Sequence, residues 1–182
     1  METFSRKAIW VLIISALLFI SGCASLSFKR HGSLATVESL DLDRFAGTWF
    51  VYASKGTLMD QEAFNSKQVY ARDTRGLFEM TYYFNKKSFE GKAYAYTAKI
   101  DIDNLNTNAD WGLQFVWPFE TDYRVIYLRP DYKIAMVAHP NREHIYILSR
   151  TKTMTDAEYQ WLLDFAASRG FDASYIRRVP QK

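Results

Sequence analysis

From Gly47 onward the chain is cut into short aromatic or β-branched runs by clusters of turn-forming residues, and this rhythm limits its fold more than any other feature. Eight such runs can be read, over residues 48–54, 66–73, 77–85, 92–101, 112–117, 122–128, 133–139 and 144–150. The breaks carry tight-turn chemistry, as in Asp73-Thr74-Arg75-Gly76, Asn85-Lys86-Lys87 and Pro140-Asn141-Arg142. With no helical period between the runs, the chain is expected to be an antiparallel meander that stacks as a sandwich or closes as a barrel. Eight strands is also the number whose barrel holds one small ligand.

After the last run the period changes. Thr155-Asp156-Ala157-Glu158 reads as a capping box, with Met154 and Tyr159 placed as a staple and Gly170 as the stop. Tyr159, Leu162, Leu163 and Ala166 fall on one stripe of a helix spanning about residues 155–169. A last extended piece, 175–179, can return to pair with a strand. The fold class is therefore all-β with one C-terminal helix, an eight-stranded antiparallel up-and-down barrel being one of the two arrangements, with the sandwich, that this pattern allows.

Composition narrows the function. Hydrophobic residues make up 48% of the chain and aromatic residues 16%, which excludes a disordered polymer and favours half-buried, pleated surfaces. A formal charge of +3, with no block of Lys or Arg, excludes a nucleic-acid-binding stripe. The single cysteine, Cys23, permits neither an intrachain disulfide nor a Cys-based metal cluster.

Arg6 and Lys7 precede the apolar run 8–20, which is shorter than the ~20 residues a membrane-spanning helix needs and reads as a secretory signal. Its end, Ile20-Ser21-Gly22-Cys23, resembles a bacterial lipobox, in which cleavage precedes the cysteine and the thiol carries lipid. Ala24 follows, without the aspartate that retains such proteins at the inner membrane. This resemblance implies a signal peptide over 1–22, a lipidated tether over 23–40, a folded domain over 41–182, and an outer-membrane anchor at Cys23 facing the periplasm.

Gly47-Thr48-Trp49 opens the first strand and Leu148-Ser149-Arg150 closes the eighth. With the helix and the lipobox, these residues make residues 40 to about 180 resemble a lipocalin, particularly the bacterial outer-membrane and apolipoprotein D-like branches. The family's Thr-Asp-Tyr turn has two candidates: Thr121-Asp122-Tyr123 matches the letters, and Pro130-Asp131-Tyr132 matches the position between strands six and seven. The second is taken as the equivalent. The resemblance gives Gly47, Trp49, Asp131 and Arg150 structural roles, with the Arg150 guanidinium lying on the Trp49 indole to plug the closed end.

Strand alternation assigns faces. Trp111, Leu113, Phe115 and Trp117 share one side of the fifth strand and are assigned inward; so are Tyr123, Val125 and Tyr127 on the sixth, where Arg124 points to water. Tyr146 shares a side with Arg150, and the resemblance turns Tyr146 and Tyr70 towards ligand. On the third strand Phe78, Met80, Tyr82 and Phe84 form the more apolar face, whereas the family register places Glu79, Thr81 and Tyr83 inside. The family register is followed, leaving an outer apolar stripe beside Tyr94 and Tyr96; in the reverse register those aromatics are pocket or core. The candidate ligand-binding set is Tyr70, Thr81, Leu113, Phe115, Tyr123, Tyr127 and Tyr146.

Such a lining suits an acyl chain: burying sixteen carbons yields roughly 12 kcal/mol gross at ~0.8 kcal/mol per CH2, before ordering costs. The expected function is binding, storage or transport of a fatty acid or lysophospholipid, with the alternative of a filled barrel that serves as a structural or partner-binding lipoprotein. No cofactor or metal is expected, and a homodimer is left open. His31 lies in the tether, while His139 and His144 flank a turn and read as surface residues. The family's enzymatic members work through a pocket thiol that this chain lacks, so catalysis is not expected.

Overall fold

The computed structural model describes residues 33–182. The expected signal peptide, Cys23 and His31 lie outside the described residues. A short helix α1 (Leu42–Phe45) leads into β1 (Gly47–Lys55), β2 (Ala63–Arg72), β3 (Phe78–Lys86), β4 (Ala93–Ile102), β5 (Asp110–Val116), β6 (Phe119–Leu128), β7 (Ile134–Ala138) and β8 (Ile145–Ser149). Helix α2 (Asp156–Ser168), a 3-10 turn (Ala173–Tyr175) and a two-residue strand β9 (Arg177–Arg178) follow. Each strand pairs antiparallel with the next, and β1 pairs with both β8 and β2, which closes the eight long strands into a barrel. β9 adds to β1, as the extended C-terminal pattern suggests.

Two apolar cores share the barrel wall. One fills the interior around Trp49, Tyr70, Trp111 and Tyr123. The other lies between the outer wall and α2, where Tyr52, Ile126, Met136 and Ile147 meet Leu162 and Ala166. This second core explains why β7 and β8 read as continuous apolar runs: both of their faces are covered. The Thr155 side chain caps α2 by accepting from the Glu158 N–H (3.2 Å), while the Glu158 carboxylate pairs with Arg129.

The packed body starts ahead of residue 41. Leu34 and Leu40 are buried, the Arg124 guanidinium donates to the Leu34 carbonyl (3.1 Å), and the Val37 N–H donates to the Val125 carbonyl (2.9 Å). Residues 34–40, expected as tether, line the wall because their two leucines find apolar grooves.

Four irregularities break strand parity, one of them between Phe64 and Lys67 of β2. The ladders also shift between Val51 and Ala53 of β1, between Leu113 and Val116 of β5, and between Val125 and Tyr127 of β6. Each extra residue swaps the faces of everything beyond it.

Candidate functional site

The closed end is built first. The Asp41 carboxylate caps α1 by accepting from the Asp43 and Arg44 N–H groups, and places Phe45 against Trp49 (ring centroids 4.8 Å apart). The Trp49 indole N–H donates to the Phe45 carbonyl (2.7 Å). The Arg150 guanidinium lies 3.9 Å from the Trp49 ring centroid and donates to the carbonyls of Thr48, Arg44, Phe45 and Ala46 at 2.8–3.0 Å. One side chain thus gathers the free C-terminal carbonyls of α1 and stacks on the indole. Gly47 allows this approach, having a φ of +97° and the Arg150 Nη1 just 3.2 Å from where a Cβ would sit. In the β6–β7 turn, Asp131 accepts from Arg129 and from the Lys133 N–H, and the Arg44 guanidinium lies on the Tyr132 ring. Thr121-Asp122-Tyr123, by contrast, lies within β6.

Above this floor a belt of polar side chains crosses the interior. The Tyr70 hydroxyl donates to Gln68 Oε1 (2.7 Å), and Gln68 Nε2 donates to the Tyr123 hydroxyl (2.9 Å). Higher up, Ser66 Oγ donates to the Tyr82 hydroxyl (2.8 Å), which donates to Asp60 Oδ2 (2.8 Å), as does the Tyr146 hydroxyl (3.1 Å). Asp60 comes from the β1–β2 loop and is only 4% exposed; its other oxygen accepts from the Thr57 N–H and hydroxyl. No cationic side chain pairs with this carboxylate among the described residues.

Burial raises the phenol pKa of Tyr70, Tyr82, Tyr123 and Tyr146, and the Asp60 charge adds to the effect at Tyr82 and Tyr146. Burial also lowers the Arg150 pKa.

Towards the mouth the interior turns aromatic again. Phe84 stacks on Tyr94 (5.2 Å) and Tyr96 (6.2 Å), both partly exposed. A cleft of about 370 Å3 at the rim, between the ends of β1 and β2 and the C-terminal segment, carries Lys55, Glu62, Arg177 and Arg178 and is too charged for an acyl chain.

Residues 40–181 match the family described as a lipocalin-like domain. The chain is a lipocalin. This lipocalin is 31% identical to the outer membrane lipoprotein Blc of Escherichia coli over 177 residues, a match covering 94% of this chain and 95% of that one. It is 29% identical to temperature-induced lipocalin-1 of Arabidopsis thaliana over 159 residues, covering 81% and 83% of the two chains. Among solved structures, insecticyanin from the tobacco hornworm Manduca sexta superposes with a TM-score of 0.62 at 17% identity, covering 80% of this chain and 83% of that one. The cockroach allergen Per a 4 does so with a TM-score of 0.60 at 19% identity, covering 83% and 93%.

Within the lipocalin barrel Tyr70, Leu113, Tyr123 and Tyr146 belong to the interior core. Three members of the candidate set lie elsewhere. Thr81 is on the outer wall, where its hydroxyl meets that of Thr97 (2.9 Å). The cause is register: Tyr70 pairs with Met80 and Gln68 with Tyr82, and directly paired residues share a face, so an inward Tyr70 carries Phe78, Met80, Tyr82 and Phe84 inward and leaves Glu79, Thr81 and Tyr83 outside. The outer apolar stripe expected on β3 does not exist, because Tyr94 and Tyr96 face the same interior.

Tyr127 is also outside, packed on Trp161 (5.1 Å) and Phe165 (5.3 Å) of α2, because the β6 bulge reverses its parity and turns Leu128 inward in its place. Phe115 lies within the β5 shift and is 43% exposed near the hairpin tip, where Trp117 is 80% exposed. Three interior residues escaped the sequence reading: Asp60, Ser66 and Gln68. Ser66 and Gln68 share the alternation of Tyr70 and were open to that inference; Asp60 is a loop residue whose inward turn no periodicity signals.

Proposed function

We propose that this lipocalin, after removal of residues 1–22, is held at the periplasmic face of the outer membrane by acylated Cys23 and binds a fatty acid or lysophospholipid in its barrel, without catalysing a reaction. The observation that carries this reading is the partly exposed aromatic ladder Phe84–Tyr94–Tyr96 just inside the mouth, continuing into the apolar wall of Ala98 and Ile100. Likeness to the Blc lipoprotein over 94% of the chain, more than residues 33–182 alone supply, supports the anchor.

Asp60 favours one ligand class over the other. A fatty-acid carboxylate brought within about 7 Å of this buried carboxylate meets about 2 kcal/mol of repulsion at an effective dielectric near 20, roughly thirtyfold in affinity. An ammonium-bearing lysophospholipid head meets attraction there, beside the faces of Tyr82 and Tyr146.

The test is titration of the purified protein with lysophosphatidylethanolamine and with palmitate, followed by intrinsic fluorescence, in the natural sequence and in Asp60→Asn. Saturable one-to-one binding of the lysolipid is expected, with palmitate weaker and recovering most of the difference in Asp60→Asn. Absence of saturable binding by any acyl ligand defeats the carrier reading and favours a filled structural barrel.

A further inference from the structure

Six of the eleven exposed large hydrophobic side chains among the described residues sit at one end of the barrel. Leu58 (83% exposed) and Met59 occupy the β1–β2 loop, and Phe115, Val116, Trp117 and Phe119 (75%) occupy the β5–β6 hairpin. Both connections lie at the mouth, opposite the end plugged by Trp49 and Arg150. In the strand order these two connections are separated by two strands on either side, β3 and β4 on one and β7 and β8 on the other, so the apolar tips stand across the opening from one another. The second tip, Phe115-Val116-Trp117-Pro118-Phe119, contains no polar side chain.

Exposure of this much apolar surface at one end of the barrel marks a docking site. Its form selects the partner: two separated points around an opening fit a deformable surface better than a complementary protein face, and tryptophan at a tip suits the interface between headgroups and acyl chains.

The course of the N-terminal segment agrees. It runs from Leu34, bonded to Arg124 midway along β6, to Leu40, whose N–H donates to Thr107 in the closed-end β4–β5 connection. Between Leu34 and Leu40 the chain therefore runs towards the closed end, and Leu34 is the end of this segment nearer the mouth. The eleven residues from Cys23 to Leu34 span up to ~38 Å when extended, while the seven residues from Arg124 to Trp117 cover ~23 Å of strand. A lipid on Cys23 can thus lie in the same plane as both tips.

We propose that the barrel docks mouth-down on the lipid surface that holds Cys23, with Leu58-Met59 and Val116-Trp117-Pro118-Phe119 inserted at its interface, so that a lipid passes between membrane and barrel without crossing water. This rests on the anchor reading above. The test uses the full acylated lipoprotein, in which Cys23 is blocked by lipid and Val116→Cys supplies one free thiol for an environment-sensitive fluorophore. The protein is reconstituted in vesicles of phosphatidylethanolamine and phosphatidylglycerol, with and without brominated acyl chains.

A blue-shifted emission that loses more than half its intensity to bromine is expected at Val116→Cys, with an aqueous, unquenched signal from Leu105→Cys at the closed end. Adding Trp117→Ser and Phe119→Ser should return the Val116→Cys label to its aqueous spectrum. Protein that floats with the vesicles but carries an aqueous label at Val116→Cys overturns the docking and leaves the anchor standing. A blue-shifted label insensitive to bromine overturns it in favour of a second copy covering the tip. Protein that does not float with vesicles at all defeats the anchor, and the docking with it.

Discussion

Replacing Trp49 with alanine is expected to lower the unfolding free energy by about 3–5 kcal/mol, the range for removing a large aromatic from a core. Trp49 is fully buried, touches Phe45, and provides the surface on which Arg150 lies. Its loss opens a cavity at the barrel floor and removes the platform that holds the guanidinium against four backbone carbonyls. Denaturant titration measures the change. Because the floor lies beneath the Gln68 and Asp60 belts, the preference between lysolipid and fatty acid should stay as in the natural protein. A Trp49→Ala protein of unaltered stability that loses selective binding would contradict the plug role.

Alkali is expected to unfold the barrel steeply above about pH 10, the pKa of a solvated tyrosine. Burial raises the folded-state pKa of Tyr70, Tyr82, Tyr123 and Tyr146 above that value. The sign follows: below the unfolded pKa all four phenols are neutral in both states and their contribution is intact. As the pH climbs towards the folded values the unfolded chain alone releases protons, and stability falls by about 1.4 kcal/mol per pH unit for each tyrosine, roughly 5.5 for the four. Tyrosinate absorbance and β-sheet circular dichroism should change together in one cooperative step for these residues. Smooth ionisation of all four near pH 10 with the sheet intact would show that the interior phenols are solvated.

The fold was legible because its signals are local. Eight runs, their turn residues, the Thr155 cap and the Leu162–Ala166 stripe each announce themselves over a few neighbouring positions. The carbonyl-rich closed end of the barrel was also accessible, since Gly47, Trp49 and Arg150 carry a recognisable spacing. Faces proved harder. The residues before the β6 bulge were assigned correctly by alternation, while Tyr127, past it, was not, because the extra residue is set by β6–β7 pairing and by the apolar bed that α2 offers. On β3 the more apolar face was the inner one; the β2–β3 register that decides it pairs Tyr70 with Met80, a contact between strands that no single run displays. Asp60 shows the limit most plainly, since a charged loop residue is ordinarily solvated, and here Tyr82, Tyr146 and Thr57 together make its burial affordable.

The central claim, that the barrel holds a single-chain lipid, is tested most directly by native mass spectrometry of the acylated protein released from the bacterial membranes that made it. The account predicts one noncovalent lysophospholipid per barrel, retained when the acylated N-terminal peptide is clipped away by limited proteolysis, and displaced by added lysophosphatidylethanolamine. A clipped barrel that carries no lipid, and takes none up when lysolipid is supplied, would contradict it.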